Sequence, residues 1–445
     1  MKLLVRLPFL LLLTLLGCGD GSPTASPAAS GESGSDAAAQ PVADGGTDAN
    51  TDAGSHARVD AGTDANTDGG TNARADAGTN LAPDAAATPA ADAGPPVTAS
   101  TIRIHYPRVG HTLSIRGALA PLSWTQGVTT SELADGWSWA STNLTAASDF
   151  KPLLDDATWS IGPNYRVSPG ETIDIYPRFR PGAGSYSVRW PAFASATLGR
   201  SRKVWVYLPP GYDENTVARF PVVYMHDGQN LFDRNAPFGF WHTDETLDEG
   251  AANGQIREAI VVGPEATSAR TTEYTPSFDT GRGTGGGASA YITSLVSELK
   301  PLVDQELRTL PARETTAIMG SSLGGLVSSW AGVHHASTFG LVGAMSPSTW
   351  WDGAMILGEV STTNAQSHKP LRVYIDSGDA GPSLDDNVNT ALLAGRYRGA
   401  GYVDTRDLLY VLAPGHQHNE AYWAQRLPRA LGFLLGARPH TGSMP

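Results

Sequence analysis

The residues best equipped for chemistry are a serine among glycines and two histidines near the end of the chain. Gly320-Ser321-Ser322-Leu323-Gly324 puts Ser322 at the centre of a G-x-S-x-G pattern. The short apolar run Thr315-Thr316-Ala317-Ile318-Met319 leads into it, and a helix-like run follows from Leu326. A serine at such a strand-to-helix turn is held on a tight, exposed tip, as a nucleophile must be. Its hydroxyl attacks only if a base takes its proton and an acid orients that base. Both types lie downstream, in the order Ser, acid, His. The base lies in Ala413-Pro414-Gly415-His416-Gln417-His418-Asn419-Glu420, just ahead of a helical stretch containing Trp423. The Gly-x-x-His-Asn-x-x-x-Trp frame favours His418, with His416 as a turn residue or a substrate contact. In a chain with 50 glycines the serine pattern has little weight alone, and its context supplies the rest.

That context is a set of short apolar runs separated by helical stretches. The runs are 203–208, 221–225, 259–263, 316–320, 341–345, 371–375 and 408–412, with amphipathic helices expected at Ile292 to Leu307 and Glu420 to Leu435. Continuously apolar strands are buried on both faces, and helices between them imply an α/β fold with a doubly wound, mostly parallel sheet. In such sheets ligands meet the carboxyl ends of the strands.

The segment before this sheet reads differently. Thr101 to Tyr106, His111 to Arg116 and Glu171 to Tyr176 alternate apolar and polar residues between Pro, Gly and Asn turns, which predicts a small antiparallel β-sandwich over 99–180. Phe150-Lys151-Pro152-Leu153-Leu154 followed by Trp159-Ser160-Ile161-Gly162-Pro163-Asn164 resembles sandwich modules of the starch-binding type. Trp124, Trp137, Trp139 and Trp159 then either stack on sugar rings or fill the sandwich core. Residues 19–98 repeat Asp, Ala, Gly and Thr and are too poor in apolar residues to build a core, so a disordered tether is expected. Residues 1–18 combine Lys2, Arg6 and an apolar run to Leu16, too short to span a bilayer, and end at Cys18. This resembles a bacterial lipoprotein signal and implies lipid anchoring at Cys18 and export to the cell envelope; an ordinary cleaved signal implies secretion.

Charge and cysteine content narrow the classes. Of the net charge of -13, residues 19–100 carry -10, so the rest is only mildly acidic. With no Lys/Arg cluster, nucleic acid is not an expected partner. One cysteine excludes an internal disulfide and a cysteine-based metal site.

From about Ser187 onward the chain resembles the putative esterase family of α/β-hydrolases, which includes feruloyl and acetylxylan esterases of carbohydrate esterase family 1 and enterochelin esterases. The resemblance rests on residues 206–212 (VYLPPGY), 224–232 (YMHDGQNLF), 273–276 (EYTP), 320–325 (GSSLGG), 345–351 (MSPSTWW) and 418–420 (HNE). It implies a hydrolase domain over 185–445, Ser322 as nucleophile, His418 as base and no cofactor or metal. His226, Asp227, Asp233 and His242 fit no ligand spacing, and Gly281 to Gly287 lack the end of a phosphate loop. The family places its acid three residues after a strand-end glycine, but here that position is Gly381. The acid is then Asp379 in an altered turn, or an insertion moves it to Asp385 or Asp386. Counting back from Gly399-Ala400-Gly401-Tyr402 favours Asp385, with the spare carboxylate capping the next helix. The resemblance gives the oxyanion donors as the N–H groups of Leu323 and Gln229. Trp241, Trp350 and Trp351 either wall a pocket for the acyl group or sugar, or pack in the core. The expected activity is hydrolysis of a small-molecule or carbohydrate ester. Acyl transfer by the same triad, or non-catalytic glycan binding, are the alternatives.

Overall fold

The computed structural model describes residues 98–107, 110–236, 239–363 and 368–436. The signal expected over 1–18, Cys18 and the tether up to residue 97 lie outside the described residues. The first strands are β1 (Ser100–His105), β2 (Leu113–Gly117), β3 (Val128–Thr129), β4 (Ser131–Leu133), β5 (Gly136–Ser141), β6 (Ser148–Leu154), β7 (Thr158–Trp159), β8 (Tyr165–Val167) and β9 (Thr172–Ile175). They form a four-stranded sheet ordered β4-β5-β1-β9 and a five-stranded sheet β3-β2-β6-β7, with β8 also on β6. Alternation does what it must: Ile102, Ile104, Ile115, Phe150 and Ile173 turn inward and are fully buried in one core shared by the two sheets. β1 and β9 pair in parallel, contrary to the expectation of antiparallel pairing throughout. Period-two alternation sets which face a residue takes, not the direction of its neighbour strand.

The remaining strands are β10 (Ser185–Ser195), β11 (Arg200–Leu208), β12 (Val222–Met225), β13 (Ile260–Pro264), a small hairpin of β14 (Phe278–Asp279) and β15 (Thr284–Gly285), then β16 (Thr316–Ser322), β17 (Leu341–Pro347), β18 (Arg372–Gly378) and β19 (Leu408–Ala413). Apart from the hairpin they make one sheet ordered β10-β11-β13-β12-β16-β17-β18-β19, parallel from β13 onward. Every apolar run identified in the sequence is a strand of it. β10 escapes that reading because it is an edge strand paired on one side, interrupted by register shifts and largely exposed.

Helices cover both faces. Leu326 and Trp330 of the helix Leu323–His334 pack in one core, together with Ile292 and Val303 of a helical run whose middle, Leu295–Leu299, widens to a π turn. On the other face Leu427 and Leu431 of the helix Glu420–Leu435 pack with Leu247 of Thr243–Asn253. The parallel strands therefore end together at Met225, Pro264, Ser322, Pro347, Gly378 and Ala413. The seam with the first two sheets is polar: Arg178 Nε meets Glu258 Oε1 at 2.8 Å, and Asn215 Nδ2 donates to His105 O and Pro177 O.

Candidate active site

The nucleophile candidate sits where β16 becomes the helix Leu323–His334. Ser322 has φ 57° and ψ -124°, a strained conformation for any residue with a Cβ. The turn is tight because Gly320 lies against His226: a Cβ there would approach the imidazole Cδ2 to 3.0 Å. His226 is buried, and its Nδ1 is 2.9 Å from Tyr291 Oη. Burial holds this imidazole neutral, with its pKa pushed down to about 3.

His418 follows β19 in the loop ahead of the helix Glu420–Leu435. Its Nδ1 lies 2.6 Å from Asp385 Oδ1, and its ring stands edge-on to Trp423 at 5.0 Å. An Nδ1–H bonded to a carboxylate leaves Nε2 as the proton acceptor. Asp385 is fully buried. Its Oδ2 accepts from Ser346 Oγ at 2.6 Å and from the Gly378 N–H. Burial acts to raise the carboxyl, and the bonds from His418, Ser346 and Gly378 outweigh it, so the group lies below the ordinary aspartate range.

Ser322 and His418 line one cleft of about 290 Å³ with Gln229, Asp227, Arg270 and Glu420. Ser322 Oγ is 3.3 Å from Ser348 Oγ, a long contact in which either hydroxyl can donate. Leu323 begins its helix, so its N–H is by position without an intrahelical partner. Gln229 belongs to a tight turn, Gly228–Asn230, directly after β12. Gly228 cannot be replaced without moving that turn: a Cβ would lie 2.0 Å from Gly263 O. Gln229 Oε1 accepts the Ala266 N–H at 3.0 Å, which ties the turn to the segment after β13.

The other two aspartates are placed elsewhere. Asp379 accepts the Gly415 N–H at 2.6 Å and so steadies the loop that carries His418. Asp386 stands at the N-cap of Asn387–Gly399 without capping a backbone N–H of that helix; it accepts from Asn389 Nδ2 and the Trp350 N–H. Trp241 and Trp351 are buried, at 3% and 2% exposure, so of the two roles they take packing. Trp241 packs at a tilt against Trp423, and Trp351 Nε1 donates to Ser277 O. Trp350 is exposed and lies under the Arg282 guanidinium.

Sequence reasoning missed three participants. Arg270 grips Asp227 through two bonds, Nε to Oδ1 at 2.7 Å and Nη2 to Oδ2 at 2.8 Å, and this pair forms a charged wall of the cleft. Its one signal was its place three residues before the Glu273-Tyr274 motif. Ser346 and Arg426, packed behind Asp385, carried no signal beyond membership of a motif and of a helix.

Comparison with known proteins places the chain in a family. A family model described as "Putative esterase" matches residues 195–434, more than half of the chain. The protein YbbA of Bacillus subtilis (strain 168) is 25% identical over 254 residues, covering 54% of this chain and 95% of that protein. An iron(III) salmochelin esterase of Escherichia coli O6:H1 is 28% identical over 251 residues, covering 54% of this chain and 55% of that one. Among solved structures, a ferulic acid esterase gives 22% identity and a TM-score of 0.45 over 57% of this chain and 99% of its own. The enterobactin esterase FES from Shigella flexneri gives 18% and 0.44 over 73% and 87%. With its family match spanning the eight-stranded sheet from the end of β10 to the last helix, the chain belongs to the putative esterase family and is a carboxylic ester hydrolase.

Proposed function

We propose that the protein hydrolyses acyl esters through Ser322, His418 and Asp385. The observation that carries this reading is the 2.6 Å bond from His418 to the buried Asp385, with His418 and Ser322 facing the same cleft. Ser322 Oγ attacks the ester carbonyl carbon while His418 Nε2 takes its proton, and the Leu323 and Gln229 N–H groups receive the oxyanion. The tetrahedral intermediate collapses by breaking the bond to the alcohol, which leaves with the proton from His418. Water, its proton taken by His418, then attacks the acyl carbonyl, and the bond to Ser322 Oγ breaks as His418 returns the proton to that oxygen, releasing the acid.

The substrate proposed is a feruloyl or acetyl ester of a carbohydrate, or a siderophore-like ester. Relatives named for ferulic acid and salmochelin support that range. The organisation proposed is a lipid-anchored envelope protein, with signal 1–18 and Cys18, tether 19–98, sandwich 99–180 and hydrolase 185–445. Ser322→Ala is expected to abolish p-nitrophenyl acetate hydrolysis and fluorophosphonate labelling with the fold intact; undiminished hydrolysis refutes the triad. Supplying a sugar alcohol as acceptor separates hydrolysis from acyl transfer, since transfer yields acylated sugar in place of free acid.

A second activity is favoured by one feature of the sandwich. Trp137 and Trp139 fill its core, whereas Trp124 and Trp159 are both exposed, at 39% and 38%, with ring centroids 6.2 Å apart. Exposed paired rings suit stacking on sugar faces. Retention on a polysaccharide that is lost in Trp124→Ala and Trp159→Ala supports this role, and equal retention of all three proteins refutes it.

A further inference from the structure

Ser346 occupies an unusual place in β17. Along β16 and β17, Ser321 pairs with Met345 and Ser322 with Pro347, so Ser346 is skipped by the register, and its φ is 38°. A bulge of this kind turns a side chain out of the normal alternation. Here it brings the Ser346 hydroxyl, fully buried, to the rear of Asp385.

Three polar groups meet that hydroxyl. Trp423 Nε1–H donates to it at 2.9 Å and Arg426 Nη2–H at 2.7 Å; the third group, Asp385 Oδ2, is 2.6 Å away. Indole and guanidinium are donors only, so they occupy both lone pairs of the hydroxyl oxygen. Its single proton is thereby committed to Asp385. Arg426 is itself ion-paired with a second buried carboxylate: Asp376 Oδ2 lies 3.0 Å from its Nε without the alignment of a hydrogen bond, and accepts from Tyr374 Oη at 2.8 Å, while Asp376 Oδ1 takes the Ser346 N–H at 3.0 Å. Arg426 Nη1 donates to His416 Nδ1 at 3.2 Å, which anchors the His418 loop from beneath.

We propose that Ser346 is a positioning residue for the catalytic acid, its proton aimed at Asp385 by Trp423 and Arg426, with Asp376 holding Arg426 in place. Within this buried group the two carboxylates are balanced by Arg426 and by His418 when it is protonated. The cluster therefore reaches charge neutrality when His418 carries the serine's proton. The other charged or titratable groups facing it are Asp386, Glu420 and His416 near His418, and Tyr374 and Arg429 at the Asp376 end. This inference rests on the triad reading.

Ser346→Ala is the direct test, because it removes the hydroxyl and leaves a Cβ at the same φ. Without the bond that orients the carboxylate, His418 is misplaced, and kcat for p-nitrophenyl acetate is expected to fall about ten-fold or more despite the stronger pull on the imidazolium, with KM within about two-fold. The carboxylate then keeps more of its charge for His418, so the acid limb of the kcat/KM profile moves to higher pH. An unchanged kcat, or a fall with the acid limb in place, overturns the proposal. If the Ala variant fails to fold, Asp376→Asn decides. It removes a negative charge behind Arg426, so its acid limb should move to lower pH, and an unmoved limb overturns the proposal. Ser322→Ala measured alongside separates the two levels. Activity retained there sinks the triad, whereas activity lost there but kept in Ser346→Ala sinks only the positioning role.

Discussion

Replacing Asp385 with Asn keeps the shape of the acid and removes its charge. In the structure Oδ1 meets His418 Nδ1, and Oδ2 takes the Ser346 hydroxyl proton and the Gly378 N–H. An amide has one acceptor oxygen where the carboxylate has two. Either orientation of the amide therefore sets its NH2 against a donor. If the NH2 faces His418, the imidazole must carry its proton on Nε2, the atom that should receive the proton of Ser322. If the oxygen faces His418, the tautomer survives, the charge is lost and the NH2 meets the Ser346 hydroxyl and the Gly378 N–H. The second case gives the smaller effect. Unit charges about 4 Å apart interact by about 4 kcal/mol at an effective dielectric of about 20. The His418 side chain is 34% exposed, so solvent screens part of this. With that discount about 2 to 4 kcal/mol of imidazolium stabilisation is lost, which is roughly 30- to 1,000-fold in kcat. The assay is p-nitrophenyl acetate hydrolysis by Asp385→Asn, Asp379→Asn and Asp386→Asn, each checked for folding by circular dichroism. The expected result is a fall of at least about 30-fold for Asp385→Asn and only few-fold changes for the other two, whose carboxylates serve the loop and the helix head. Asp385→Asn within a few-fold of wild type, with activity lost in Asp379→Asn, would refute the reasoning.

Ser322→Gly should abolish hydrolysis yet stabilise the fold. The strain at φ 57°, ψ -124° is about 1 to 3 kcal/mol. Glycine relieves it at about 0.5 to 1 kcal/mol of chain entropy, so a net gain of about 1 kcal/mol is expected from urea unfolding; a loss of stability contradicts the strained-turn assignment. His226 supplies a pH dependence with a definite sign. Its folded pKa is about 3, against an ordinary 6.5, so between those values the unfolded chain binds the extra proton. The stability linked to His226 is full above pH 6.5 and falls by about 1.4 kcal/mol per unit as pH drops toward 3. In His226→Asn that slope should shrink by about this amount between about pH 6 and pH 4, whatever the change in overall stability. An unchanged slope would show that His226 does not stay neutral in the folded protein.

What the sequence revealed and what it hid divide along a physical line. The parallel strands were legible because burial on both faces demands unbroken apolar runs, and Ser322 and His418 because their turns need particular neighbours. Asp385 was reachable only by counting an insertion, since the chain between Gly378 and Asn387 winds through left-handed residues at Leu384, Asp385 and Asp386 that no periodicity records. The edge strand β10, exposed and bulged, gave neither an apolar run nor a clean alternation.

Ser346 and Arg426 lay deeper still. Strict alternation assigns Ser346 a face by its neighbours, and only the skipped register between Met345 and Pro347 turns it toward Asp385. A bulge is set by how two strands meet, which local sequence does not encode. Arg426 reads as one cation of an amphipathic helix, a type that ordinarily faces solvent. Its burial is tolerable because Asp376, fifty residues earlier on β18, ends beside it and Asp385 lies 3.7 Å from its Nη2. The residues proposed to do the chemistry thus announce themselves through local turns, while those proposed to hold them in place depend on contacts between distant strands and helices. Of the two partners only Asp376 sits on a strand already legible as buried, so the readable trace of the network is a lone carboxylate ending an otherwise apolar run, Val373-Tyr374-Ile375-Asp376. A charge in that position requires a buried counter-ion, and with the strand ends gathered at one edge of the sheet that counter-ion must come from the helix that closes the site.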